Sequence, residues 1–199
     1  MKYKNRIILA LEGIDGAGKT TLCNELSNFF GSNIVFYKRT EKGKIIDKIV
    51  KSQFMQNHYM LQIPIYLLLS YKNFFLFKRK DYNNQVIVMD RCFLSNICYF
   101  FPKSLFDNKL LKKLLWFEVK LYPQIIFILD VEPTIGQARD SNKKALAWLI
   151  NTRNAYLNTA KSTIADLTTV QIIEDNLSIE NKANIIIKYI QGEIKNGNW

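Results

Sequence analysis

Residues Gly13-Ile14-Asp15-Gly16-Ala17-Gly18-Lys19-Thr20 fill every fixed position of the pattern GxxxxGK[ST], and the chemistry of that pattern is a grip on a polyphosphate. Its glycines let consecutive backbone N–H groups turn inward on the anion, and a helix that follows adds its positive N-terminal end. Lys19 is then placed to reach the β- and γ-phosphates and the Thr20 hydroxyl to ligate Mg²⁺, with Thr21 continuing into the helix. An apolar run at residues 7–11 precedes the loop and a helical pattern at 20–30 follows it. That strand–loop–helix context favours a nucleoside triphosphate over a glycine-rich turn without a ligand.

A second pair capable of chemistry is Asp90-Arg91, just after the apolar run at 85–89. The planar fork of an arginine matches phosphate oxygens, and a neighbouring carboxylate can hold that arginine or orient a metal. The bland alternative is a surface ion pair within one turn. A third cation, Arg139, precedes Asp140-Ser141-Asn142-Lys143-Lys144.

These groups need a scaffold, and the chain supplies one. Short runs rich in β-branched and apolar residues recur at 7–11, 33–37, 85–89, 124–129 and 170–173. They are continuous rather than alternating, which fits strands covered by helices on both faces. Between them lie helical patterns at 20–30, 44–56, 59–80, 105–121, 143–160 and 178–195, the first ending at Gly31, a natural stop. Strands alternating with helices predict an α/β fold with about five parallel strands and right-handed crossovers. Ligands of such sheets sit at the carboxyl ends of the strands, which is where the loop and Asp90-Arg91 fall.

At 199 residues, with 48% hydrophobic and 23% charged content, the chain is sized for one domain with a real core. No repeat, low-complexity tract or linker marks a second. The formal charge of +11 favours phosphate-bearing partners. Its lysines are scattered rather than blocked, which reads as a solvated surface and argues against a nucleic-acid face. Three cysteines without a CxxC pair speak against a disulfide framework or a zinc site and fit a reducing cytoplasm. No run is long and apolar enough for a signal peptide or a membrane span.

The ordered set Glu12 to Thr21, Asp90-Arg91-Cys92-Phe93-Leu94-Ser95 with Tyr99, Asp130-Val131-Glu132-Pro133 before Arg139, and Asn151-Thr152-Arg153-Asn154-Ala155-Tyr156-Leu157 resembles the thymidylate kinase family. The resemblance spans roughly residues 7–190 and implies a three-layer P-loop kinase fold, a homodimer, Mg·ATP as donor and dTMP as acceptor. It places Asp15 near the acceptor's sugar hydroxyl and the transferred phosphate. Arg91, and Arg39 after the second strand, match arginines that hold the acceptor phosphate, while Ser95 and Tyr99 match positions near the nucleoside. Some family members carry an arginine in the phosphate loop and others in a mobile lid. This loop has none, so a short lid near 139–144 would provide it through Arg139, with Lys143 or Lys144 assisting. Lys19, Arg39, Arg91 and Arg139 would thus surround the transfer point from four segments, and phosphoryl transfer depends mostly on such positioning and charge stabilisation.

Three departures bear on the substrate. The lid is trimmed. Leu68 and Lys72 stand where the family keeps a base-stacking Phe and an Arg that hydrogen-bonds thymine, and Phe100 replaces a common polar residue. A deoxyribonucleoside kinase is the nearest rival, although that class typically reads Glu-Gly-Asn before the loop where this chain has Glu12-Gly13-Ile14-Asp15. A catalytically weakened nucleotide-binding relative is the other.

Overall fold

A computed structural model describes residues 7–38, 65, 68, 86–100, 123–140, 144–160 and 168–195. Within them five strands run as β1 (Ile7–Glu12), β2 (Ile34–Lys38), β3 (Val86–Asp90), β4 (Ile125–Asp130) and β5 (Thr169–Glu174). All pair in parallel, in the order β2-β3-β1-β4-β5. The helices are α1 (Lys19–Phe30), α2 (Phe93–Phe100), α3 (Pro133–Arg139), α4 (Leu146–Ala160) and α5 (Ile179–Lys195). This is the doubly wound architecture that the alternating pattern predicts. The predicted helices at 44–56 and 105–121 lie outside the described residues. Of the one predicted at 59–80, positions 65 and 68 are described, and both are helical.

The central strands carry the core. Residues 7–11 of β1 are each at most 1% exposed, and Ile125 through Leu129 of β4 at most 2%. Each such aliphatic side chain contributes roughly 1.5–3 kcal/mol when fully buried. β5 departs from the expectation of two covered faces: Ile173 is buried but Ile172 is 38% exposed. It lies at the sheet's edge, and β-branched content alone does not distinguish an edge strand from a central one.

Helix α1 begins at Lys19 and stops at Gly31, whose φ of 56° takes the left-handed turn that ends it. Two short helices, α2 and α3, were not foreseen. Both follow directly on strand ends and are too brief to show a clear 3.6-residue periodicity. Helix α4 starts at Leu146, later than the predicted 143. The carbonyl of Lys144 accepts from Gln137 Nε2 at 2.7 Å, so the first carbonyl used within α4 is that of Ala145.

Candidate active site

The sheet order changes direction at β1, which pairs with β3 on one side and β4 on the other. The loop after β1, the turn after β3 and the helix after β4 therefore meet at one rim. There they line a cleft of about 480 Å³ formed by residues 15–21, Asp90, Arg91, Arg139 and Asp140. All four residues expected to be catalytic, Asp15, Lys19, Arg91 and Arg139, are on its wall.

Two glycines of the phosphate loop are required for different reasons. Gly18 has φ of 85° and hands the chain into α1. Gly16 has φ of 78°, and a Cβ there would stand 2.1 Å from the carbonyl oxygen of Gly136 in α3. Gly136 in turn would bring a Cβ to 2.9 Å from the Asp15 carbonyl oxygen. Loop and helix thus touch backbone to backbone. Lys19 is buried, and its Nζ donates to the carbonyls of Gly13 at 3.0 Å and Ile14 at 2.8 Å. Burial, aided by repulsion from Arg91, pushes its ammonium down to about 7. Such a lysine regains its charge when an anion arrives.

Arg91 stands opposite, with a left-handed φ of 70° that is uncommon for a residue with a Cβ. Its backbone N–H donates to Leu11 O at 3.1 Å, and the next N–H, of Cys92, to Glu12 Oε1 at 2.7 Å. These bonds hold the turn. The guanidinium donates to Gly13 O at 3.2 Å and Ser95 Oγ at 3.3 Å and forms an ion pair with Asp15. Asp15 is also paired with Lys144 and accepts from Tyr99 OH at 3.1 Å. Burial alone would raise the Asp15 carboxyl, but Arg91 and Lys144 outweigh it and leave it below the usual carboxylate range.

Behind Arg91 lies Glu12, which is 0% exposed. It accepts four hydrogen bonds: from Cys92 N, from Ser95 N at 3.2 Å, from Ser95 Oγ at 2.6 Å and from Tyr156 OH at 3.0 Å. The Ser95 hydroxyl donates to Glu12 and accepts from Arg91, so it joins the two. Ser95 is buried, and the described partners of its hydroxyl are protein groups. Burial raises the Tyr156 phenol well above its ordinary value, so it stays a hydrogen-bond donor. Trp148 adjoins the same group: its ring meets Tyr99 edge to face at 4.9 Å and Lys144 Nζ at 4.3 Å.

On the other side of the cleft Arg139 ends α3. Its side chain is half exposed and 3.7 Å from Asp175, which also pairs with Lys182. Among the remaining expected residues, Leu68 is helical and 70% exposed. Arg39, Lys72 and Lys143 lie outside the described residues. Sequence reasoning did not assign site roles to Glu12, Trp148 or Tyr156; Glu12 adjoins the loop motif and Tyr156 lies in the segment 151–157, and that adjacency was the available signal.

Thr20, exposed in the first turn of α1, and Asp90, at the end of β3, share the cleft wall. Among the described residues no group of three or more His, Cys, Asp or Glu converges. Mg²⁺ does not need one, because it takes one or two protein oxygens and completes its shell with phosphates and water.

Residues 11–186 match the family model described as Thymidylate kinase. A thymidylate kinase of Buchnera aphidicola subsp. Baizongia pistaciae is 28% identical over 173 residues, covering 77% of this chain and 82% of the relative. One from Wolbachia pipientis wMel is 30% identical over 146 residues, covering 69% and 74%. The crystal structure of thymidylate kinase from Ehrlichia chaffeensis shares the fold with a TM-score of 0.70 at 20% identity, over 94% of this chain and 99% of that one. Deoxyadenosine kinase from M. mycoides, solved with bound dATP, shares it with a TM-score of 0.67 at 17% identity, over 93% and 100%. Among the described residues no helix is long and apolar enough to cross a membrane. With the family match spanning most of the chain and the phosphate loop facing Arg91 across one cleft, the chain belongs to the thymidylate kinase family of P-loop phosphotransferases.

Proposed function

We propose that the chain transfers the γ-phosphoryl group of Mg·ATP to dTMP, giving dTDP and ADP. The observation that carries this reading is the meeting of Lys19 and Arg91 on one cleft, one on the phosphate loop and one at the end of the neighbouring strand. A nucleoside acceptor would call for one phosphate site; two cations from different chain segments, adjacent at the Gly13 carbonyl, suit two phosphates brought together for transfer.

In this mechanism the loop N–H groups and Lys19 cradle the donor's β- and γ-phosphates, and the Lys19 ammonium exchanges the Gly13 and Ile14 carbonyls for phosphate oxygens. Thr20 and Asp90 would hold Mg²⁺, which supplies charge neutralisation at the donor phosphates. Arg91, fixed by Asp15 and Ser95, orients the acceptor phosphate. Its oxygen forms the new bond to the γ-phosphorus as the bond to the β-bridging oxygen breaks and ADP departs. Arg139 swings from Asp175 to the charge that spreads over the transferred group. No general base is required, because a phosphomonoester is already ionised near pH 7. A homodimer working on the cytoplasmic nucleotide pool completes the proposal.

The test is a panel of common ribo- and deoxyribonucleoside monophosphates, with thymidine, offered as acceptors with Mg·ATP. Preferred turnover of dTMP is the expected result. Phosphorylation of thymidine alone would overturn it in favour of a nucleoside kinase, and ATP binding without turnover of any acceptor would leave only a nucleotide-binding relative.

A further inference from the structure

We propose that Lys144 is a binding residue for the acceptor's phosphomonoester group, facing Arg91 across Asp15; the inference rests on the kinase reading above. Sequence reasoning treats this lysine as an assistant to Arg139 on the donor side. Its contacts are elsewhere. Lys144 Nζ pairs with Asp15 Oδ2 while Arg91 pairs with Oδ1, so the two cations straddle a single carboxylate. The two cations thus share Asp15 as a counter-ion.

The ammonium is also built into place. It lies 5.0 Å from the centre of the Tyr99 ring and 4.3 Å from that of Trp148, within range of a cation–π attraction to each. The Lys144 carbonyl is held by Gln137 of α3. An ammonium has three N–H donors, and the described hydrogen bonding of Lys144 Nζ is to Asp15. The side chain is 34% exposed, so solvent and ligand can reach it. Arg91 is already committed to Gly13, Ser95 and Asp15. A dianionic phosphate seated against it needs a second donor, and Lys144 is the cation that shares its counter-ion.

The experiment compares dTMP with thymidine, which lacks the phosphate, by calorimetric titration of the wild-type chain, Lys144→Met and Lys144→Arg. Lys144→Met is expected to weaken dTMP binding roughly tenfold or more, the usual worth of a hydrogen bond to a charged group, and to leave thymidine within about threefold on the same reasoning. Steady-state kinetics should show the same rise in KM for dTMP with KM for Mg·ATP unchanged, and Lys144→Arg should restore both. An unchanged dTMP-over-thymidine preference in Lys144→Met, with wild-type dTMP turnover intact, overturns the role of Lys144 alone. So does an equal loss for the two ligands, which would mark a purely structural residue. A wild-type chain that neither binds nor phosphorylates dTMP overturns the kinase reading and this inference with it.

Discussion

The two walls of the cleft are built differently. Around Arg91 every polar group answers to another: Glu12 fastens the turn, Ser95 links Glu12 to the guanidinium, and Asp15 is gripped by Arg91, Lys144 and Tyr99. Around Arg139 the geometry is loose, a half-exposed side chain 3.7 Å from a carboxylate on another turn. A buried, cross-linked network holds its members at fixed positions before any ligand arrives. An exposed pair of this length contributes little and breaks readily. The wall around Arg91 is therefore preorganised, and Arg139 is free to move.

The sharpest way to break this contrast is Arg139→Ala. The fold should be indifferent, with the melting temperature unchanged, while kcat falls by about 10³-fold or more, as for arginines that stabilise phosphoryl-transfer charge elsewhere. Stopped-flow or coupled-assay kinetics beside a thermal melt would decide it; a fall in stability without a fall in kcat would place Arg139 among structural residues.

Glu12→Gln should behave in the opposite sense. An amide in that pocket turns an NH2 group toward donors that have thereby lost their acceptor, and urea titration should show a loss of about 2–4 kcal/mol. Because Ser95 then loses its anchor, acceptor KM should rise as well. Unaltered stability would mean that the network is dispensable.

Asp15→Asn tests the electrostatics of the same wall. A carboxyl depressed by Arg91 and Lys144 stabilises the fold above its unfolded value, and that contribution is lost as pH falls through the lower folded value. The stability gap between wild type and variant should thus be larger at about pH 5 than below about pH 4, where it narrows. Denaturant titrations across that range check it, and a gap that widens in acid would reverse the assignment.

The smallest effect is expected from Arg153→Ala. Arg153 donates to Asp130 through Nε at 2.5 Å and Nη2 at 3.0 Å and lies 3.5 Å from Glu132, but its side chain is 30% exposed. A loss of at most about 1 kcal/mol is expected, with both KM values unaltered, so this pair serves as the control outside the cleft.

What the sequence made legible follows the range of the interactions. The phosphate loop, the strands and the stop at Gly31 are written in neighbouring residues, and each was placed to within a residue or so. Arg91 was legible because it adjoins the end of β3. The partners of these groups were not. Lys144 meets Asp15 across 129 positions and Tyr156 meets Glu12 across 144, and no local pattern records which lysine or tyrosine a fold will return to a given carboxylate. The short helices α2 and α3 escaped for another reason: at eight and seven residues they are too brief for a 3.6-residue pattern to stand out from the sequence.

The bare contact between Gly16 and Gly136 sets a limit on how the donor side of this molecule can vary. With no side chain at either position, nothing can shorten, rotate or refill to absorb a change in spacing. Residues added before position 136 would lift α3 away from the loop and carry its terminal guanidinium with it. Residues added after 140 would leave that distance intact. A change of length in this segment can be accommodated only downstream of Arg139.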